Sequence, residues 1–195
     1  MDINFIKENY KKFDNSKIET IALKEANTLK PEIVEILKAE VQRRNLNSNL
    51  INCIDSQIKE LTEKDLIEYS ELLRKHKCPN CNSKTNHINV SITGRVISVL
   101  IFTSYKKSLK VACPNCLDEM HNNANMVSAV AGWWGIPWGP INTIRSFIFN
   151  AKMKKNNRLE ASDLYKSFIL SNIGVLEQSK TEPEKLTNYL KKLNE

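Results

Sequence analysis

The sequence predicts an α+β protein with three parts: an N-terminal small helical bundle, a central zinc-ribbon β-hairpin followed by a helix–Trp/Pro/Gly turn–helix segment, and C-terminal helices. Three observations support this prediction. The N-terminal part has helical periodicity, two CPNC motifs flank a β-like stretch, and all three tryptophans lie in GWWGIPWGP, residues 132–140. We therefore divide the chain into a helical domain (1–75), a central segment (76–158) and C-terminal helices (159–195).

The helical domain is predicted from start and stop signals around apolar series. Ser16 with Glu19 can form a capping box before one helix. Pro31 suits the first turn of the next helix, where its missing N–H costs nothing, and Asn45 can end that helix. Thr62 can cap a fourth helix. After the central segment, a Ser residue at position 162 can cap one last long helix, and a short charged helix follows.

Four cysteines predict a structural metal site. Cys78, Cys81, Cys113 and Cys116 have the pattern C-x2-C-x31-C-x2-C, in which each C-x2-C turn presents two thiolates on one side. A β-hairpin between the turns would bring both pairs to one Zn²⁺, and four thiolates leave no coordination position for catalysis. The competing hypothesis, a redox dithiol, lacks the βαβ frame of thioredoxin-like motifs. His76 and His121 lie near the motifs, either as replacement ligands or as ordinary neighbours.

The residues between the cysteine pairs have the pattern of a β-hairpin. Ile88, Val90 and Ile92 alternate with polar residues. Thr93-Gly94 marks a turn, and the continuous apolar run VISVLIF (96–102) then predicts a second strand.

The tryptophan-rich stretch cannot form a continuous helix, because it contains three glycines and two prolines. It divides an uncharged segment into two arms, 124–134 and 141–149, each too short to span a bilayer, which needs about 20 residues. Two interpretations remain. In the first the turn lies in a membrane interface, and in the second it is a buried core turn with packed indoles. The first predicts membrane contact through Trp133, Trp134, Ile136, Trp138 and Ile141.

The positive charge of the chain is concentrated in its central segment. Residues 78–158 carry ten Lys and Arg but only two acidic residues, whereas residues 1–77 carry fourteen of each. This segment should therefore attract anionic lipid or nucleic acid. The basic residues expected to bind lipid headgroups or phosphates are Lys106, Lys107, Lys110, Arg145, Lys152, Lys154, Lys155 and Arg158.

These motifs together resemble a group of uncharacterised bacterial proteins that join a double-CxxC zinc ribbon to a GWWGxPWGP-type turn. The corresponding residues are CPNC (113–116), NANMVSAVA (123–131), GWWGIPWGP (132–140) and INTIRSFIFN (141–150). The resemblance implies metal binding and membrane association, with no reaction to carry over. Asn142, Arg145 and Asn150 make the second arm less apolar than in the more membrane-like members, which argues for surface attachment over deep insertion.

The sequence thus favours a non-enzymatic zinc-binding protein. We expect it in the cytoplasm, attached through residues 120–158 to the inner face of the cell membrane and acting as an interaction module. The alternative is a soluble zinc ribbon that binds nucleic acid through its basic surface. No phosphate loop, nucleotide-binding glycine turn, HExxH motif or Ser/His/Asp set is present, so no catalytic residue and no small-molecule substrate are inferred.

Overall fold

A computed structural model describes residues 3–84, 87–159 and 162–195. It confirms the α+β class. In the described residues, the chain order is a first group of helices, a two-stranded antiparallel hairpin and a second group of helices. The elements are α1 (Ile3–Lys12), α2 (Asn15–Lys24), α3 (Pro31–Arg43), α4 (Asn49–Ile58), α5 (Glu63–Arg74), β1 (Asn89–Val99), β2 (Phe102–Ala112), α6 (Pro114–Ala131), α7 (Trp138–Asn156), α8 (Asp163–Ser171), α9 (Ile173–Thr181) and α10 (Pro183–Asn194), with a short 3-10 turn at Ala26–Thr28.

The chain folds into two compact units. The helical unit contains the residues up to Leu72 together with Ser167–Leu186, and the cysteine unit contains Leu73–Lys166 together with Thr187–Glu195. This partition differs from the three-part division expected at residues 75 and 158, because the C-terminal helices are shared between the two units.

The helical unit is held together by the apolar faces of α1 to α4, with α9 packed on α2 and α4. Pro31 begins α3 as predicted, and Asn45 follows α3 with a φ of 51°, a left-handed conformation that lets Leu46 N–H reach the carbonyl of Val41 at 3.1 Å. The capping box predicted at Ser16 is wrong. The cap is Asp14, whose carboxylate accepts the Lys17 N–H at 2.7 Å, so α2 begins before Ser16.

A network of ion pairs and hydrogen bonds around Glu40 also stabilises this unit. The Glu40 carboxylate is buried and accepts hydrogen bonds from Arg43 and Arg44 at 2.6–2.9 Å. Arg44 in turn donates to the carbonyls of Tyr10 and Phe13, which close the end of α1. The pKa of Glu40 is held at about 2 by the hydrogen bond from Arg43, against the opposing effect of burial and with further help from Arg44.

The hairpin turn lies further along the chain than the sequence predicted. Asn89 pairs with Ala112 and Val99 pairs with Phe102, which leaves only Leu100 and Ile101 in the turn. Thr93-Gly94 lies inside β1, so the turn predicted there is wrong. A Cβ at Gly94 would lie 3.0 Å from the Tyr105 ring and 3.1 Å from the Phe149 ring, and this close approach is what requires glycine.

The outer edge of β1 is covered by polar side chains of α6 and α7. Asn150 accepts a hydrogen bond from Gly94 N–H and donates to Gly94 C=O, both at 2.7 Å. The Ser128 hydroxyl accepts from Val96 N–H at 2.9 Å. Both side chains are fully buried, so they satisfy strand groups that would otherwise lack partners.

The long C-terminal helix predicted from Ser162 is two helices. The Ser162 hydroxyl accepts the Tyr165 N–H at 3.1 Å, which confirms the predicted cap of α8. The helix stops at Asn172, whose side chain donates to the Phe168 carbonyl at 2.8 Å, and α9 begins at the next residue. Asn competes for backbone groups in this way and is a poor residue in a helix interior.

Candidate metal centre and candidate membrane-contact surface

The first cysteine pair lies on a tight loop that follows α5. Cys78 N–H donates to the Ser83 carbonyl at 2.9 Å, and Asn82 N–H donates to the Cys78 carbonyl at 2.8 Å. Asn82 has a φ of 58°, which Asn tolerates better than most residues. The loop therefore returns on itself within six residues and directs both thiols of the pair, Cys78 and Cys81, to one side.

The second cysteine pair lies at the start of a helix. Cys113 is the N-cap of α6, Pro114 occupies its first turn and Cys116 follows in the same turn. Cys113 N–H also donates to the Cys78 sulfur at 3.3 Å, which joins the second pair to the first. A helix N-terminus favours negative charge, so this position suits thiolates.

The hairpin between the pairs brings the four sulfurs together. All four lie within 4.8 Å of one another, and Cys81 Sγ is 3.7 Å from Cys113 Sγ. A tetrahedral S4 site with metal–sulfur bonds of about 2.3 Å has sulfur–sulfur edges of about 3.8 Å. The cysteines are not joined by disulfides, and Cys81 is exposed whereas the other three are buried. The cluster is therefore compatible with one metal ion bound by four thiolates.

The thiols of this cluster differ in their tendency to ionise. Burial opposes ionisation of Cys78, but amide hydrogen bonds from Cys113, Cys81 and Asn80 outweigh it and lower the pKa of this thiol. Burial raises the pKa of Cys113 and of Cys116. Four crowded thiolates need a compensating cation, and a divalent metal ion would supply it.

The two histidines near the motifs are not part of the sulfur cluster. His76 Nε2 lies 2.8 Å from the Thr187 hydroxyl, and His121 Nε2 lies 2.9 Å from the Ser91 hydroxyl. His121 is fully buried, and burial lowers its pKa. The fifth cysteine, Cys53, is buried in the helical unit, where burial raises its pKa to about 12. These three side chains have no position in the metal site.

The tryptophan-rich stretch breaks the helix as predicted. Residues 132–140, which we call the elbow, contain the turn between α6 and α7. The arms on either side are longer than expected, because α6 begins at the second cysteine pair and α7 continues to Asn156. Among the described helices, none combines the length and the apolarity required to cross a bilayer.

The elbow exposes its apolar side chains. Trp134 is 71% exposed and Ile136 is 80% exposed. The interpretation of the elbow as a buried core turn is therefore wrong in this structure. All five residues predicted to contact the membrane are exposed on one part of the unit: Trp133, Trp134, Ile136, Trp138 and Ile141.

The structure adds four exposed apolar residues, which belong to the continuous apolar run of the sequence. Val99 and Phe102 flank the hairpin turn, and the turn residues Leu100 and Ile101 are each 77% exposed. We call residues 99–102 the hairpin tip. In the sequence, the only indication of this exposed turn is an uninterrupted apolar run. The run contains no glycine or asparagine turn signal, and it fits a buried strand equally well.

The predicted basic residues differ in their contacts and exposure. Lys106 pairs across the hairpin with Arg95, which was not among the predicted basic residues. Lys107 lies 4.5 Å from the Phe149 ring centroid, and Lys110 is buried and donates to the Asn194 carbonyl. Lys154 donates to Asn122 and Arg158 forms an ion pair with Asp118 at 2.8 Å, whereas Arg145, Lys152 and Lys155 are exposed along α7.

Comparisons of the chain with protein-family models, with curated proteins and with solved structures find no match. The resemblance to zinc-ribbon proteins with a GWWGxPWGP-type turn therefore stays a prediction.

Proposed function

We propose that this protein is a non-enzymatic, zinc-stabilised module that attaches to an anionic membrane surface through residues 120–158. The observation that carries the proposal is the exposure of the elbow, where three indoles and two isoleucines lie together on one surface. Soluble proteins rarely expose such a contiguous apolar patch without a function. Tryptophan is also the residue most typical of the membrane–water interface.

Zinc is the metal that the cysteine cluster suits best. Thiolate ligands select soft or borderline metals, and a tetrahedral site of four sulfurs is typical of Zn²⁺ or of iron–sulfur centres. Because four protein ligands fill the tetrahedron, the ion has a structural role and holds the first loop against the start of α6. Metal analysis of the purified protein tests this assignment: colourless protein with about one zinc per chain supports it, and bound iron contradicts it.

Membrane attachment is tested by co-sedimentation of the zinc-loaded protein with phosphatidylcholine vesicles and with mixed phosphatidylcholine/phosphatidylglycerol vesicles, with tryptophan emission recorded in parallel. Binding to the anionic vesicles with a blue shift supports the proposal. Replacement of Trp134 and Ile136 by Ser should weaken binding at least about tenfold, because both side chains lose their burial in lipid. Ile67→Ser is the matched control, since Ile67 is 59% exposed in the helical unit.

Nucleic-acid binding is the alternative outcome of the same experiment. Arg95, Lys106 and Lys107 lie on the hairpin, but the indoles lie in the elbow and not along the strands, where bases would stack. An absence of vesicle binding, together with salt-sensitive binding to single-stranded or double-stranded nucleic acid, would replace the membrane proposal with this one.

A further inference from the structure

The hairpin tip combines two features that packing does not explain. Its four side chains are 62–77% exposed although all are apolar. Leu100 also has a φ of 53°, a left-handed conformation that two-residue hairpin turns normally give to Gly, Asn or Asp. A bulky side chain at this position is conformationally unfavourable, and strain of this kind is typical of functional sites.

The hairpin tip lies next to the elbow. Gly135 packs directly on Ser98 and Thr103, the cross-strand pair that precedes the tip, so closely that a Cβ there would overlap the Thr103 hydroxyl. A Cβ at Gly139 would lie 3.1 Å from the Ser98 hydroxyl. The tip and the elbow therefore form a single apolar end of the cysteine unit.

The helices next to this apolar end, α6 and α7, expose apolar side chains, and α7 buries small and polar ones. The buried positions of α7 are Gly139, Thr143, Ser146 and Asn150, which form a small and polar stripe. The opposite side of α7 exposes Ile141, Ile144 and Ile148, and α6 exposes Met126 and Val130. A helix in water buries its apolar side. An exposed apolar face over a hydrogen-bonded polar interior suits a lipid environment.

The length of the apolar surface matches one leaflet. Trp138 and Ile148 are ten positions apart on α7, about 15 Å along the helix, which is half of a hydrocarbon core of about 30 Å. On the hairpin, the Arg95–Lys106 pair lies four residues from the turn, about 13 Å from the tip. Arg145 lies inside this span, and its long side chain can extend towards the headgroups.

The excess of positive charge in residues 78–158 favours an anionic binding partner for this apolar end. The only carboxylates in residues 78–158 are Asp118 and Glu119, and Asp118 is paired with Arg158. Both acidic residues lie in the first half of α6, towards the cysteine cluster and away from the elbow. Glu195 lines the same cavity as Arg95 and Lys106. The ten cations of residues 78–158 still outnumber these carboxylates, and this excess of positive charge complements a bilayer that contains anionic lipid.

We propose that the hairpin tip, residues 99–102, inserts together with the elbow into one leaflet of an anionic bilayer, with Arg95 and Lys106 at the level of the lipid phosphates and the cysteine cluster outside the membrane. This inference rests on the proposed membrane attachment. It adds a second inserting loop, which the central helices alone do not require, and it fixes the orientation of the cysteine unit.

The test compares wild type with the double variant Leu100→Gly/Ile101→Asn on the mixed phosphatidylcholine/phosphatidylglycerol vesicles. Leu100 but not Ile101 has a positive φ, as in a type II′ turn, whose first central residue is normally Gly. This change should therefore preserve or increase the stability of the hairpin while it removes both apolar side chains. We expect the partition coefficient to fall by about a hundredfold. Metal content and circular dichroism verify the fold, and Ile101→Ser serves as a second, smaller change.

The outcomes separate this inference from the proposed function. Loss of binding in the tip variants, with Ile67→Ser unchanged, supports insertion of the tip. If the tip variants bind like wild type while Trp134→Ser/Ile136→Ser loses binding, the elbow is the sole anchor and the inference is wrong. If wild-type protein does not bind these vesicles, both proposals are wrong.

Discussion

The side chain of Asn150 on α7 pairs with both backbone hydrogen-bonding groups of Gly94 in β1, at 2.7 Å each. It also donates to Asn125 on α6 at 2.6 Å. One amide therefore joins the hairpin, α6 and α7, and it takes the place that a third strand would occupy beside β1.

Asn150→Ala should destabilise the cysteine unit by about 3 kcal/mol, because Gly94 N–H and C=O are then left buried without these partners. The measurement is denaturant unfolding followed by tryptophan fluorescence, which reports this unit alone because all three tryptophans belong to it. Asn122→Ala is the matched control: Asn122 is exposed and accepts only from Lys154, so we expect a change below about 0.5 kcal/mol. Equal effects of the two changes would contradict this account of the β1 edge.

Cys113→Ser should abolish metal binding and unfold most of the cysteine unit, because Cys113 is both a candidate ligand and the N-cap of α6. The helical unit should persist, since its core is formed by other residues. Metal content and near-ultraviolet circular dichroism measure the loss, and far-ultraviolet circular dichroism measures the remaining helix. Cys53→Ala should keep the metal. A folded, metal-free Cys113→Ser protein would exclude a structural metal.

Gly135→Ala should destabilise the cysteine unit by about 1–3 kcal/mol, because the added methyl group overlaps the Thr103 hydroxyl and approaches the Ser98 side chain. Thr103→Ala removes one of these obstacles, so the double variant should recover part of the loss. Thermal unfolding of the four proteins gives the coupling energy directly. Strict additivity would mean that Gly135 does not pack on the hairpin as described.

Glu40→Gln should destabilise the helical unit by about 2 kcal/mol at neutral pH. Folding lowers the pKa of Glu40 from 4.5 to about 2, so its contribution is complete above pH 4.5 and is lost as the pH falls from 4.5 towards 2. The difference between wild type and variant should shrink over that window, as measured by urea unfolding and far-ultraviolet circular dichroism. Glu35→Gln is the control, because the Glu35 side chain is 73% exposed and its ion pair with Lys38 contributes little.

The sequence predicted the parts of the structure that depend on local chemistry. The spacing of the four cysteines indicated one sulfur cluster, because two C-x2-C turns joined by a hairpin have few other arrangements. Pro31, Asn45 and Thr62 marked helix boundaries correctly, since each acts through its own backbone or through a neighbouring N–H; Thr62 accepts the Asp65 N–H at 3.2 Å.

The errors arose where a residue serves a distant contact. Thr93-Gly94 is typical of a turn, but the glycine is needed because the rings of Tyr105 and Phe149 lie close to its Cα. Leu100 and Ile101 form the actual turn without any of the usual turn residues. Asn150 indicates reduced apolarity in the sequence, because only the fold shows that its side chain is buried whereas the isoleucines of α7 are exposed.

Helix α6 begins within the cysteine cluster and ends at the elbow, and its eighteen residues make it about 27 Å long. No single small ligand can touch both ends. Under the proposed function, metal binding and membrane contact would therefore act at opposite ends of one helix, whose first turn carries the second cysteine pair. Removal of the proposed metal would then disturb α6 at its start, and the elbow would lose the support that sets the direction of its indoles.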